Sequence, residues 1–150
     1  MRRMTGMKGY SVAVLLGCWI GVASAGPFDN AVGTWSGQAE YLAKVNAVAD
    51  DSAHAVVELT IRIESGGKIS GSSPENGCRL LGVIKPFSSP QVFQSQVTLS
   101  ECRAASLNGR YMGPVSVKPQ TGTLGLSLTM VAPGARPSRW GTVTATMVRR

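Results

Sequence analysis

Few side chains in this sequence could carry a reaction. His54 is the single histidine, so it is the one imidazole available as a base near neutral pH. Serines are plentiful, yet none stands in a Gly-x-Ser-x-Gly turn. Nucleophilic catalysis needs a nucleophile, a base and a group that orients the base. Carboxylates for acid–base work are sparse too. Glu40, Glu58 and Glu64 alternate with apolar residues and so belong to outward strand faces, while Asp50-Asp51 has the composition of a turn. Nothing in their spacing selects a pair suited to glycoside hydrolysis. Gly66-Gly67 precedes no helical pattern, which excludes a phosphate-binding glycine loop. These residues lead us to expect no catalytic, cofactor-binding or metal-binding site and no enzymatic activity.

The other reactive groups are thiols. Cys78 and Cys102 lack the close spacing and the additional ligands of a zinc site. A third cysteine, Cys18, lies in an N-terminal leader, and removing that leader turns an odd count into an even one. In an exported chain the remaining two have only each other, so a structural disulfide is expected. It would close a loop of 25 residues counting both ends. The chain-entropy estimate for such a loop is about 3.5 kcal/mol.

The leader itself has three parts. Met1-Arg2-Arg3 through Lys8 is positive, Ser11 to Val22 is nearly all apolar, and Ala23-Ser24-Ala25 is a small-x-small cleavage pattern. The apolar run is too short for a helix across a hydrocarbon core of about 30 Å. Residues 1–25 therefore read as a signal peptide and 26–150 as one domain, periplasmic or secreted, with no transmembrane segment in the mature chain. The alternative is a lipoprotein anchored through Cys18, since Leu15-Leu16-Gly17-Cys18 has the form of a lipobox. Cleavage after Ala25 leaves twelve basic and eight acidic residues, a net charge of +4 against +7 for the whole chain. The basic residues are scattered apart from Arg149-Arg150, which argues against a nucleic-acid partner.

The elements that position these residues read as strands. Val57, Leu59, Ile61 and Ile63 alternate with Glu58, Thr60, Arg62 and Glu64, giving one core face and one solvent face. The same period runs through 34–42, 68–72, 78–85, 92–101, 109–117, 123–131 and 140–148. Turn-forming stretches separate them: Ser65-Gly66-Gly67, 73–77, Pro86–Pro90, Pro119–Gly122 and 132–138. Residues 44–54 read as a loop with Asp50-Asp51 at its turn, with a short helix as the alternative. The expectation is an all-β domain of about eight antiparallel strands in a meander, closed as a small barrel, with a β-sandwich as the alternative.

Val32-Gly33-Thr34-Trp35 opens the first strand, and Arg149 or Arg150 ends the last. This resembles the calycin superfamily of lipocalin- and avidin-like barrels. In size the chain is closer to the short disulfide-bonded bacterial periplasmic inhibitors. The resemblance implies that Trp35 plugs the closed end of an eight-stranded barrel with Arg149 across its ring. Ligand binding of the avidin type is not implied, because no matching tryptophan pattern is present.

Two functions from different classes follow. The inward rows are bulky and aliphatic, which suits a filled interior and an exported module that binds a protein or other envelope macromolecule through its loops. Such a module would be an inhibitor or an assembly subunit, with Glu75, Asn76, Phe87, Arg136 and Arg139 as candidate contacts. The alternative is a carrier holding a small apolar ligand inside the barrel; a hydrolase is a remote third.

Overall fold

The computed structural model describes residues 26–131 and 138–150. The proposed signal peptide with Cys18, and Arg136, lie outside the described residues. Nine strands follow in chain order: β1 (Gly33–Val45), β2 (Val48–Ala49), β3 (Ala55–Ile63), β4 (Lys68–Ser73), β5 (Cys78–Ser89), β6 (Val92–Ser100), β7 (Gly109–Lys118), β8 (Thr123–Met130) and β9 (Arg139–Arg149). A 3-10 turn, Ala105–Leu107, sits between β6 and β7. From β3 onward each strand pairs antiparallel with the next, and β1 pairs with both β3 and β9. That last pairing closes an eight-stranded barrel, with the two-residue β2 folded back on the end of β1. The expected meander is therefore a closed barrel, not a sandwich.

Three boundaries differ from the sequence expectation. β1 runs on to Val45 because β9 partners its far half, Tyr41–Val45 facing Val143–Arg139. The stretch read as a loop contains the β1–β2 hairpin, whose turn residues Asn46 and Ala47 both have positive φ (51° and 64°). β5 passes through Pro86 to Ser89, with a register shift between Pro86 and Ser89. Proline, having no N–H to donate, is tolerated where the ladder is already irregular.

An interior of eight strands is just wide enough for side chains to fill. The inward rows do fill it. Trp35, Ile61, Phe93, Val115, Leu128 and Val143 all have 0% of their surface accessible to solvent. A ligand-sized void would give its lining accessible surface, and among the described residues these inward side chains have none. The Ser95 hydroxyl, fully buried among them, donates to the Gly113 carbonyl at 2.7 Å, so its burial leaves no unmet polar group. Cys78 and Cys102 are bonded, tying the start of β5 to the segment after β6.

The barrel bends where inward glycines let strands approach. The β7–β8 ladder is interrupted between Met112↔Thr129 and Val115↔Leu126, and Gly113 lies in the gap. A Cβ there would overlap the Ser127 carbonyl oxygen, and one at Gly37 would overlap that of Thr146 in the matching gap of β1–β9. Gly113→Ala should therefore cost about 3 kcal/mol, as overpacking against backbone does. Gly66→Ala, where nothing lies within 4 Å of the new carbon, should cost under about 0.5 kcal/mol. Paired thermal melts of the two variants check this.

Candidate functional site

In an antiparallel meander, successive connections fall at opposite ends. One end carries the entry segment 26–32, the turns 64–67, 90–91 and 119–122, and the C-terminus. The other carries 46–54, 74–77, 101–108, the end of β8 and the start of β9.

Trp35 closes the first end. Its ring is fully buried and its indole Nε1 donates to the Ala31 carbonyl at 2.8 Å. The Arg149 guanidinium lies over the ring, 4.4 Å from its centroid, and donates to the carbonyls of Val32 and Asn30. Gly33 must be glycine for two reasons. Its φ is +137°, and a Cβ would stand 2.8 Å from Arg149 Nη1. Arg150, the other candidate of the pair, instead bonds Ser36 and pairs with Glu58. Phe28 of the entry segment stacks on Phe93, their centroids 5.9 Å apart.

Tyr111 closes the second end by the same device. Its hydroxyl donates to the Leu107 carbonyl at 2.7 Å, again four residues upstream, and again the glycine is two residues before the aromatic: Gly109-Arg110-Tyr111. The clamping arginine is Arg139, at the opposite tip of β9. It donates to the carbonyls of Ala105, Ser106 and Asn108. Tyr41 lies beside this plug with its hydroxyl 2.6 Å from Ser73 Oγ. Burial pushes the pKa of both phenols above the ordinary tyrosine value, so both hydroxyls stay protonated and neutral.

A carboxylate stitches this end to the β1–β3 connection. Asp50 accepts hydroxyls from Ser106 and Ser52, each at 2.5 Å. The Ser106 bond, then that of Ser52, holds its pKa below the usual carboxylate range. Through these two bonds the carboxylate tethers the 3-10 turn to the β1–β3 connection. His54 is exposed close by in the chain.

The four candidate partner contacts among the described residues do not share a surface. Phe87 is 70% exposed near the tip of the β5–β6 hairpin, at the Trp35 end. Glu75, Asn76 and Arg139 lie at the Tyr111 end. Of these, Glu75 is exposed, whereas Asn76 turns inward. Its Oδ1 accepts the Cys78 N–H at 3.1 Å and its carbonyl accepts the Arg103 N–H. The Asn76 Nδ2 is buried and has no partner among the described residues. Arg139 is occupied by its three carbonyls. The second clamp was absent from the sequence reading, although its signals were present: a repeated Gly-x-aromatic and an arginine at each tip of β9.

On the outer wall, a shallow depression of about 590 Å³ is lined by Gln38, Glu40, Ser116, Ser127 and Thr144. Among the described residues no helix is long and apolar enough to cross a membrane. Comparison of the chain with protein-family models, curated proteins and solved structures gives no significant match.

The two clamps should be separable. Arg139→Ala should expose unpaired carbonyls, cost about 1–3 kcal/mol, and raise amide exchange in 103–108 while 28–35 stays protected. Arg149→Ala should do the reverse. The Asp50 tether, whose carboxyl has a depressed pKa when folded, stabilises above the unfolded value of about 3.9 and is lost as pH falls below it. Exchange in 103–108 should therefore quicken with acid beyond its intrinsic pH dependence, and Asp50→Asn should remove that extra change.

Proposed function

We propose that this chain is an exported, non-enzymatic barrel that acts from its outside on another macromolecule of the cell envelope, as an inhibitor or assembly subunit. The observation that carries the reading is the filled interior. Side chains such as Ile61, Phe93 and Leu128 have no accessible surface, and an aromatic plug backed by an arginine lies at each end. A carrier of apolar ligands needs a cavity of several hundred cubic ångströms. The disulfide suits an oxidising compartment, which supports export to the periplasm or beyond. The Trp35–Arg149 stack supports kinship with the calycin barrels.

Of the candidate contacts, the Phe87 tip and the Glu75 loop are the exposed ones on which a partner would act, one at each end. Organic extraction of the purified protein followed by mass spectrometry should recover no stoichiometric lipid or other apolar molecule. With envelope extract as the source of partner, Phe87→Ala or Glu75→Ala, not both, should abolish capture while shifting stability by under about 0.5 kcal/mol. A retained apolar molecule would overturn the reading in favour of the carrier.

A further inference from the structure

Among the described residues, large apolar side chains are exposed at Val48, Val56, Val131, Trp140 and Val148, and a run of them lies on one strand. Leu81 (56%), Val83 (43%) and Phe87 (70%) follow one another along a single strand, β5, and Met112 lies two strands away in register with Val83. With Cys78, Leu80 and Ile84 inward, the outward face of β5 reads Arg79, Leu81, Val83, Lys85, and Phe87 follows at the hairpin. In register beside Leu81 lie Ser70 on β4 and Thr98 on β6, both shorter, while Val83 lies between Lys68 and Gln96. Leu81 therefore projects past its two neighbours.

Cations frame the row. Lys68 on β4 faces Val83, Lys85 follows on β5 itself, and Arg110 on β7 faces Thr98. No residue within β4 to β8 is a carboxylate; the strand-borne carboxylates are Glu40 on β1 and Glu58 on β3. Arg79 pairs with Glu101 at 2.8 Å. Lys68, Lys85 and Arg110 have no carboxylate within ion-pair distance among the described residues.

We propose that β5 is a membrane-contact strand, laying Leu81, Val83 and Phe87 against an anionic phospholipid surface while Lys68, Lys85 and Arg110 meet the headgroup phosphates. A closed barrel is convex, so it meets a flat surface along a narrow strip and not in a pocket. An apolar line set between cations fits the boundary between anionic headgroups and acyl chains. A protein partner would need roughly 800 Å² on this side with a packed core, which one convex row of three apolar side chains does not supply. This inference stands apart from the loop contacts proposed above.

The test is cosedimentation with vesicles of phosphatidylcholine containing phosphatidylglycerol, and with phosphatidylcholine alone, at low ionic strength. All variants share one chain length, so residues 1–25 contribute equally where present. The protein should bind the anionic vesicles, release in high salt, and bind neutral ones far more weakly. Lys68→Gln with Lys85→Gln should weaken binding about 25-fold, about fivefold per charge. Lys44→Gln with Lys118→Gln, away from β5, should change it by under about threefold at the same net charge. Leu81→Ser with Val83→Ser should weaken binding while leaving its salt dependence intact, and near-ultraviolet spectra confirm that these exposed changes preserve the fold. No binding to anionic vesicles would overturn the proposal and leave the row to an acidic protein surface. Equal losses from the two lysine pairs, or no loss from the serine pair, would also overturn it, because attraction would then follow net charge alone.

Discussion

The pairing of β1 with β9 is the constraint on which everything else depends. It runs from Trp35↔Arg149 to Val45↔Arg139 and turns a meander into a tube. A closed tube of eight strands has no open sheet edge, and its inside must be filled by what its own strands point inward. The same pairing places the two tips of β9 at the two mouths. An arginine at each tip is thereby delivered to the segment that must seal that mouth.

Each seal solves the same problem. A chain crossing a barrel mouth leaves carbonyls facing the interior, and a buried carbonyl without a donor is costly. A planar guanidinium offers several donors in a fixed fork and can also lie on an aromatic face. Arg149 uses both properties, bonding Val32 and Asn30 while covering Trp35. Arg139 uses the first, gathering three carbonyls around the 3-10 turn. The disulfide reinforces the second mouth, where the plug is a long connection and not a chain entry: it holds Cys102, at the root of that connection, against β5.

Strand positions and inward faces were legible because a period of two with a buried face admits a single register: slipping Val57, Leu59, Ile61 and Ile63 by one residue would turn all four to water. The disulfide was legible from the even count after leader removal. The second seal was not. Gly109-Arg110-Tyr111 reads as an ordinary strand start, and nothing local says that 103–108 will fold back to place Leu107 under a phenol. Asn76 misled for a related reason. An asparagine in a turn-rich loop reads as exposed, but its amide oxygen was taken up by the Cys78 N–H two residues on. Arg139, likewise, became a seal residue through contacts with 105–108 that lie far away in the chain. The alternation of turns between the two ends was available from the meander alone, and it separates Phe87 from Glu75. The outward row of β5 follows equally from Cys78 facing inward.

A filled and doubly sealed barrel is the claim that directs function to the outside, and xenon tests it most directly. Xenon enters dry apolar cavities that water leaves empty. Methyl resonances of Leu59, Ile61, Leu126, Leu128 and Val143 should not move as xenon pressure is raised in an NMR titration, while those of exposed Leu81 and Val83 show only weak, non-saturating drifts. Saturable shifts concentrated on the inward methyls would reveal a cavity, and would contradict the account.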